Sequence, residues 1–181
     1  MAISIFLSHP HPINDAQKEF LAKLHDWLGG RNFLARTLGV TDYSAAVPLE
    51  AIRSLMSESN GLLCVAFRRT HIENGTRTVR VEGSYKDQPI KDEWITSPWS
   101  HIEPAMAYSM GLPVLILRES GVLADGVLEK GIIGLYMPEF DLATLKEEYY
   151  LNSPEWAGVG GSWEMNVRTV VANKGRPPKL F

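Results

Sequence analysis

The sequence predicts an α/β fold in which a parallel five-stranded sheet lies between two layers of helices (three-layer α/β/α). Two short uncharged apolar runs, at 2–7 and 62–67, are typical of strands buried on both faces of a parallel sheet. Such runs alternate along the chain with segments of helical periodicity, which is the pattern of α/β proteins. With 181 residues, 45% of them apolar, the chain fits a single domain spanning 1–181.

The first half of the chain predicts two strands and two helices. A turn at His9–Pro12 follows the first strand, and Asn14 is a good N-cap for a helix that Gly29 and Gly30 end. A short second strand is expected within 32–38, and Pro48 suits the first turn of the second helix.

A polar excursion at about 68–96 follows the third strand, and Asn74-Gly75 within it is a hairpin turn signal. We expect this excursion to lie outside the main sheet and to border the ligand site. The remaining expected elements are strands at 113–117 and 132–137, helices at 102–110, 121–129, 142–149 and about 162–173, a glycine-rich loop at 158–161, and a loose tail to residue 181.

The expected strand order is 2-1-3-4-5. Ligands in such sheets bind outside the carboxyl ends of the strands, which here carry Ser8-His9, Arg36-Thr37, Phe67-Arg68 and Leu117-Arg118.

Composition excludes several classes of function. The net charge of -3 argues against a duplex-DNA binder, so no nucleic-acid partner is expected. The single cysteine, Cys64, excludes an internal disulfide and a cysteine-based zinc site, and His9 with His11 makes a poor metal site, so no metal is expected. No apolar run reaches about 18 residues and no signal peptide is recognisable, so we expect no membrane partner and a cytoplasmic location.

The segment 97–114 carries the most chemical information. Trp99 and Glu103 are four residues apart, so they share one face if this segment is helical. The indole ring can stack on a base or a pyridinium ring. The carboxylate can stabilise a sugar carbon that becomes positive as its C–N bond breaks.

A structural interpretation explains the same residues. Ser100-x-x-Glu103 has the spacing of a capping box, and Pro104 is tolerated in the first turn of a helix. In that interpretation Glu103 closes the start of the helix, and the helix N-terminus depresses its pKa.

Two stretches carry a resemblance to TIR domains. Phe6-Leu7-Ser8-His9 resembles their opening strand, and Trp99-Ser100-His101-Ile102-Glu103 resembles the Trp-Cys-x-x-Glu signature of the enzymatic members, with Ser100 in place of the Cys. The segment 103–114 also resembles the Glu-x-x-x-Ala-x-x-x-Gly-x-Pro-Val pattern of the nucleoside 2-deoxyribosyltransferase-like group. Both groups share a flavodoxin-like sheet and N-glycosidic chemistry, and the resemblance covers about residues 2–140.

The resemblance implies an enzyme that splits the nicotinamide–ribose bond of NAD, with Glu103 as the catalytic residue. NAD is then a substrate, and no cofactor is implied. Trp99 would stack on nicotinamide or adenine, and Ser8 and His9 would hydrogen-bond ribose or phosphate. Arg36 either meets the pyrophosphate or is a surface charge. Asp42 and Tyr43 lie in the loop that contacts substrate and neighbouring subunits in that family.

The family analogy extends to biological context. The products would be nicotinamide and ADP-ribose, or a cyclic or conjugated ADP-ribose that signals to a separate effector protein in antiphage defence. Contacts between TIR domains imply a homo-oligomer. Two alternatives stay open: a nucleoside or nucleotide 2-deoxyribosyltransferase or N-glycosidase, and a non-catalytic TIR-like interaction module in which the loop with Asp42 and Tyr43 binds partners.

Overall fold

Apolar strands paired in parallel form the centre of the molecule. The structure is a computed structural model, and it describes residues 2–133, 137–142 and 150–173. The main sheet contains the strands β1 (Ile3–Ser8), β2 (Phe33–Arg36), β3 (Leu62–Ala66), β6 (Val114–Glu119) and β7 (Glu139–Phe140), and the excursion contains β4 (Thr70–Val81) and β5 (Ser84–Ile95). The described α-helices are α1 (Asp15–Gly30), α2 (Pro48–Ser57), α3 (Trp99–Ser109) and α4 (Pro154–Ala172).

The sheet has the order β2-β1-β3-β6-β7, and every neighbouring pair is parallel. The predicted α/β class and the 2-1-3-4-5 order are therefore confirmed. One face of the sheet packs against α1 and α4, and the other packs against α2 and α3. The order reverses at β1, so the crevice beside it is the expected ligand position for a doubly wound sheet.

The fifth strand is a correction to the sequence prediction. It is the short Glu139–Phe140, paired with Arg118 and Glu119 of β6, whereas Ile132 and Ile133 lie in a turn and a bend. Phe140 is buried and stacks on Phe20 with ring centroids 4.3 Å apart, so core packing selects this segment as the strand. Residues 134–136, the expected helix at 142–149 beyond its first residue, and the tail 174–181 lie outside the described residues.

The last helix begins about eight residues earlier than predicted. Ser153 caps it, Pro154 occupies its first turn, and the glycine-rich segment 158–161 is helical instead of a loop. A Cβ on Gly160 would lie 3.2 Å from atoms of Trp27 and Trp156, so this glycine allows α4 to approach α1 closely. Tertiary packing thus overrides the low helix propensity of glycine.

The excursion forms one long antiparallel hairpin outside the main sheet, as expected. Its turn is Glu82-Gly83, with φ values of 50° and 84°, and not the predicted Asn74-Gly75, which lies inside β4. Two consecutive residues with positive φ match a two-residue hairpin loop, whose backbone twist suits the flanking strands. The segment 121–129, predicted as a weak helix, contains only a single 3₁₀ turn at Gly126–Leu128.

We expect that replacing residues 74–91 by a short Gly/Ser linker leaves the core folded. No residue of that stretch belongs to either hydrophobic cluster, whereas Trp94 at the base of the hairpin does pack on one. The variant should melt cooperatively within a few degrees of the wild type, because surface changes away from the core alter stability by about 0.5 kcal/mol or less. Thermal melting followed by far-UV circular dichroism measures this, and a large loss of cooperativity would assign the hairpin to the core.

Candidate active site

A cleft of about 620 Å³ opens at the carboxyl ends of β1, β2 and β3. Its volume falls within the range of small-molecule sites. The residues that line it are His9, Pro10, His11, Leu38, Gly39, Pro48, Ile52, Arg69, Ser97, Pro98, Trp99 and Glu103. A groove of about 530 Å³ between β6 and α4 is predominantly apolar and lacks such a group of convergent ionisable side chains.

Glu103 is the buried acid of this cleft. Its side chain points from α3 towards the end of β1, where the Ser8 hydroxyl donates a hydrogen bond to Glu103 Oε2. Both residues are buried, Glu103 being 9% exposed and Ser8 2%. Burial raises the pKa of Glu103 from 4.5 to about 7, and the hydrogen bond from Ser8 opposes that rise.

The capping-box interpretation is wrong for this helix, and so is the depressed pKa. α3 already begins at Trp99, and its N-cap position is Pro98, which makes no side-chain cap bond. Glu103 therefore lies beyond the first turn, where the helix N-terminus no longer outweighs desolvation. The Ser100 hydroxyl instead lies 3.3 Å from the Thr96 hydroxyl in the buried space below the helix.

Pro104 lies inside α3 and removes the amide that would bond the Ser100 carbonyl. The Cys64 thiol of β3 lies 3.9 Å from that carbonyl oxygen and donates to it. Burial raises the pKa of Cys64 to about 12, so the group is a neutral thiol. Cys64 is thus a fully buried small residue that also satisfies a backbone group next to the site.

Two histidines and one arginine supply the other ionisable side chains that line the cleft. His9 Nδ1 lies 2.9 Å from the Pro10 carbonyl oxygen, which can only accept, so the proton is on Nδ1 and Nε2 is left as an acceptor. Burial lowers the pKa of His9, which favours this neutral form. Arg69 Nη1 donates to the His11 carbonyl oxygen at 3.2 Å, which places the guanidinium beside the cleft.

The structure brings four of the predicted site residues together and separates three from them. Ser8, His9, Trp99 and Glu103 lie in or directly beneath the cleft, and Trp99 and Glu103 share one face of α3 as their spacing predicts. Arg36, Asp42 and Tyr43 instead line a separate depression of about 180 Å³.

The side chain of Arg36 is fully engaged in that second depression. Its guanidinium donates to Asp42 Oδ1 at 2.6 Å and to Glu58 Oε2 at 2.7 Å. These bonds raise the pKa of Arg36, and they lower the pKa of Asp42. Tyr43 is 80% exposed. The ion pair between Arg36 and Asp42 thus fixes the loop after β2. It also occupies the guanidinium, so that Arg36 has no free pair of parallel N–H groups to bind a pyrophosphate.

Sequence reasoning missed Arg69 and gave His11 no role in ligand binding, although both line the cleft. A usable signal existed for Arg69, since it follows the third strand by three residues and so lies near the carboxyl edge of the sheet. His11 comes into the cleft because the proline-rich turn after β1 passes over it, which the sequence pattern alone does not indicate.

Residues 2–133, 137–142 and 150–173 contain neither a candidate metal site nor a candidate membrane-spanning helix. That part of the chain holds no group of three or more side chains suited to a metal ion. None of its helices has the length and apolar character needed to span a bilayer.

No protein-family model and no curated protein matches the chain. Among solved structures, the chain is similar to a CMP N-glycosidase from Clostridium botulinum, with 15% sequence identity and a TM-score of 0.47. The match covers 82% of this chain and 95% of that protein.

We expect Glu103→Gln to be more stabilising at about pH 8 than at about pH 5. The folded-state pKa of about 7 exceeds the value of 4.5 for a free glutamate, so the contribution of this group is fully present below 4.5 and is lost as the pH rises through 7. Glutamine mimics the protonated acid and escapes that loss, which is of the order of 2–3 kcal/mol. Melting curves of both proteins across this range measure the difference.

The exposed Glu50 of α2 provides the control, because Glu50→Gln removes the same charge from the protein surface. A stability difference between wild type and Glu103→Gln that does not change with pH would contradict the raised pKa.

Proposed function

We propose that the protein cleaves the N-glycosidic bond of a nucleotide. The observation that carries the proposal is a buried carboxyl group, Glu103, in a cleft at the switch point of a doubly wound sheet, with a hydrogen bond from Ser8 and an aromatic ring one turn away. Strongly perturbed acids in clefts are candidates for catalytic groups. The absence of a capping role for Glu103 removes the competing structural explanation.

The chemistry follows from the charge that develops on the sugar. As the bond between the anomeric carbon and the base nitrogen breaks, the electron pair leaves with the base and the sugar becomes oxocarbenium-like. Ionised Glu103 stabilises this cation or bonds to the anomeric carbon. Water then supplies hydroxide to that carbon, any bond between Glu103 and the carbon breaks with its electron pair returning to the carboxylate, and the proton left from the water goes to the departed base. The positive charge that develops on the sugar favours the ionised form of Glu103. This attraction opposes the effect of burial, which raises the pKa of Glu103.

The remaining groups fit a phosphorylated sugar. Arg69 is the one guanidinium lining the cleft among the described residues, and arginine binds phosphate oxygens through two parallel hydrogen bonds. His9 Nε2 can accept a hydrogen bond from a sugar hydroxyl. Trp99 is 40% exposed and offers a ring face on which a base can stack.

NAD is the second candidate substrate. The exposed ring of Trp99 favours it, because nicotinamide and adenine both stack on indole. The ion pair of Arg36 with Asp42 supports the smaller nucleotide instead. It occupies the Arg36 guanidinium, which is the group that the resemblance offers for the pyrophosphate of NAD.

Product analysis separates these substrates. The purified protein is incubated with ribonucleoside and 2′-deoxyribonucleoside 5′-monophosphates, with the matching nucleosides, and with NAD, and released base or nicotinamide is measured by chromatography. We expect release of a base from a phosphorylated nucleoside. Nicotinamide release alone would select NAD, and no release from any of them would favour an interaction module.

We expect Glu103→Gln to lower kcat/KM at least a hundredfold. The amide keeps the size of the side chain and can still accept from Ser8, but it carries no charge for the cationic transition state. Loss of a preorganised charge costs about 3 kcal/mol or more in the barrier. Steady-state kinetics on the substrate found above measures this, with Glu50→Gln as the control. Wild-type turnover by Glu103→Gln would remove this residue from the mechanism.

We expect Ser8→Ala to shift the acidic limb of the pH–rate profile upwards. The Ser8 hydroxyl lowers the pKa of Glu103 by bonding the carboxylate, so its removal leaves more of the carboxyl protonated near neutral pH. At a pH well above 7 the variant should recover most of its kcat/KM. An unchanged midpoint with uniformly lower activity would indicate a purely structural role for Ser8.

A further inference from the structure

The proposed mechanism gives no role to Gln17, a polar side chain in the first turn of α1. This residue is fully buried, with 0% of its surface exposed. Glutamine is mostly found at protein surfaces, because its amide carries two donors and an acceptor that need partners when buried. Here both the oxygen and the nitrogen of the amide are bonded, and their partners lie on three separate segments.

The two ends of the Gln17 side chain bond to different parts of the chain. Its oxygen, Oε1, accepts from the Ile13 amide at 2.9 Å and so holds the turn that follows β1. Its nitrogen, Nε2, donates to the Arg68 carbonyl oxygen at 3.2 Å and to Glu119 Oε2 at 2.9 Å. The side chain therefore ties the turn after β1 to the segment that follows β3 and to the end of β6.

Glu119 holds the other side of the Arg68 backbone. It is buried, and its Oε2 also accepts from the Arg68 amide at 2.8 Å. The Arg68 carbonyl that Gln17 bonds belongs to the peptide bond leading into Arg69. The Arg69 amide in turn donates to the Ile95 carbonyl at 3.0 Å. The backbone that carries the Arg69 side chain is thus fixed by hydrogen bonds on either side.

The side chain of Arg69 completes a closed ring of contacts. Arg69 Nη1 donates to the carbonyl oxygen of His11, which lies two residues before Ile13 in the same turn. One end of Gln17 therefore holds the turn that carries His11, and the other end holds the peptide that carries Arg69. Because Arg69 is exposed, its long side chain would otherwise sample many rotamers. The direction of this guanidinium therefore depends on Gln17.

We propose that Gln17 is a positioning residue that holds the Arg69 guanidinium in place for the 5′-phosphate of the substrate. Gln17 does not contact the substrate and acts through the turn after β1 and the backbone of Arg68. When it is lost, these two segments shift relative to each other, and Arg69 no longer presents two parallel N–H groups to a phosphate. The inference rests on the proposed function, since it takes Arg69 as the phosphate ligand.

A purely structural role for Gln17 predicts a different result. Its loss would then reduce the fraction of protein that is competent to bind, which weakens the binding of every ligand of the cleft by the same factor. Loss of positioning affects only a ligand that carries a phosphate. The ratio of the dissociation constants of an unphosphorylated and a phosphorylated sugar therefore separates the two roles.

Isothermal titration calorimetry with ribose 5-phosphate and with ribose measures this ratio. Ribose 5-phosphate is the sugar that hydrolysis of a ribonucleoside 5′-monophosphate leaves, so the probe depends neither on the identity of the base nor on turnover. The wild type should bind ribose 5-phosphate at least about tenfold more tightly than ribose, because hydrogen bonds to charged groups contribute strongly to binding.

Gln17→Met should raise the dissociation constant of ribose 5-phosphate about tenfold and leave that of ribose within about twofold. Methionine is close to glutamine in shape but has no amide, so it releases both the turn and the Arg68 carbonyl. Gln88→Met makes the same substitution at an exposed position of β5 and is the matched control. Thermal melting checks the fold of each variant. If Gln17→Met does not melt cooperatively, the shorter Gln17→Asn, which cannot span both partners, replaces it.

The two substitutions of Glu119 test whether hydrogen bonds carry the effect. Glu119→Gln keeps an oxygen that can accept from Gln17 and from the Arg68 amide, so its preference for ribose 5-phosphate should stay within about threefold of the wild type. Glu119→Met removes the acceptor and should lose the preference as Gln17→Met does. An equal loss in both variants would attribute the effect to the charge of Glu119 and overturn the proposal.

A double-mutant cycle tests whether Gln17 acts through Arg69. Arg69→Met should remove most of the preference for ribose 5-phosphate, and Gln17→Met added to it should change the remaining preference less than about twofold. Losses that multiply in the double variant would show that Gln17 acts by another route.

The outcomes distinguish this inference from the proposed function. A wild type that binds ribose 5-phosphate no more tightly than ribose would refute the phosphorylated substrate and the inference together. A wild type with the preference, and a Gln17→Met variant that keeps it or loses affinity for both sugars equally, would overturn the inference alone.

Discussion

The hydrogen bond between Ser8 and Glu103 joins the end of the first strand to the helix that follows the hairpin. It forms because β1 and β3 are paired in parallel with Ser8 opposite Cys64, so that both side chains reach the underside of α3. A buried carboxyl group without such a partner would be costly. The position of α3 on the sheet and the chemistry of the cleft therefore rest on the same contact.

The backbone of α3 near Glu103 also needs a hydrogen-bond partner from the sheet, because Pro104 lies inside this helix. A proline inside a helix removes one hydrogen bond, and here the unpaired Ser100 carbonyl lies directly above β3, where the Cys64 thiol donates to it. The Ser100 hydroxyl forms a hydrogen bond with the Thr96 hydroxyl in the same buried space. The polar groups around Glu103 are thus satisfied by the protein itself, and the carboxyl group lies at the floor of the cleft.

The sequence could predict the sheet and the core of the site, because both depend on patterns that are local along the chain. Apolar runs identified β1 and β3, and the spacing of Trp99 and Glu103 placed them on one helical face. The start of α4 depends instead on Gly160 packing between Trp27 and Trp156, and β7 depends on Phe140 stacking on Phe20. The pattern of apolar and polar residues does not indicate the ion pair of Arg36 with Asp42 either, because this pair joins the end of a strand to the loop that follows it.

The base of the hairpin is held by hydrogen bonds beside the cleft. Glu119 is buried there and accepts hydrogen bonds from the Gln17 side chain and the Arg68 amide, and Trp94 is bonded on both sides to the segment 121–123. These bonds fix the root of the hairpin to β3 and β6, beside Arg69 but independently of its side chain.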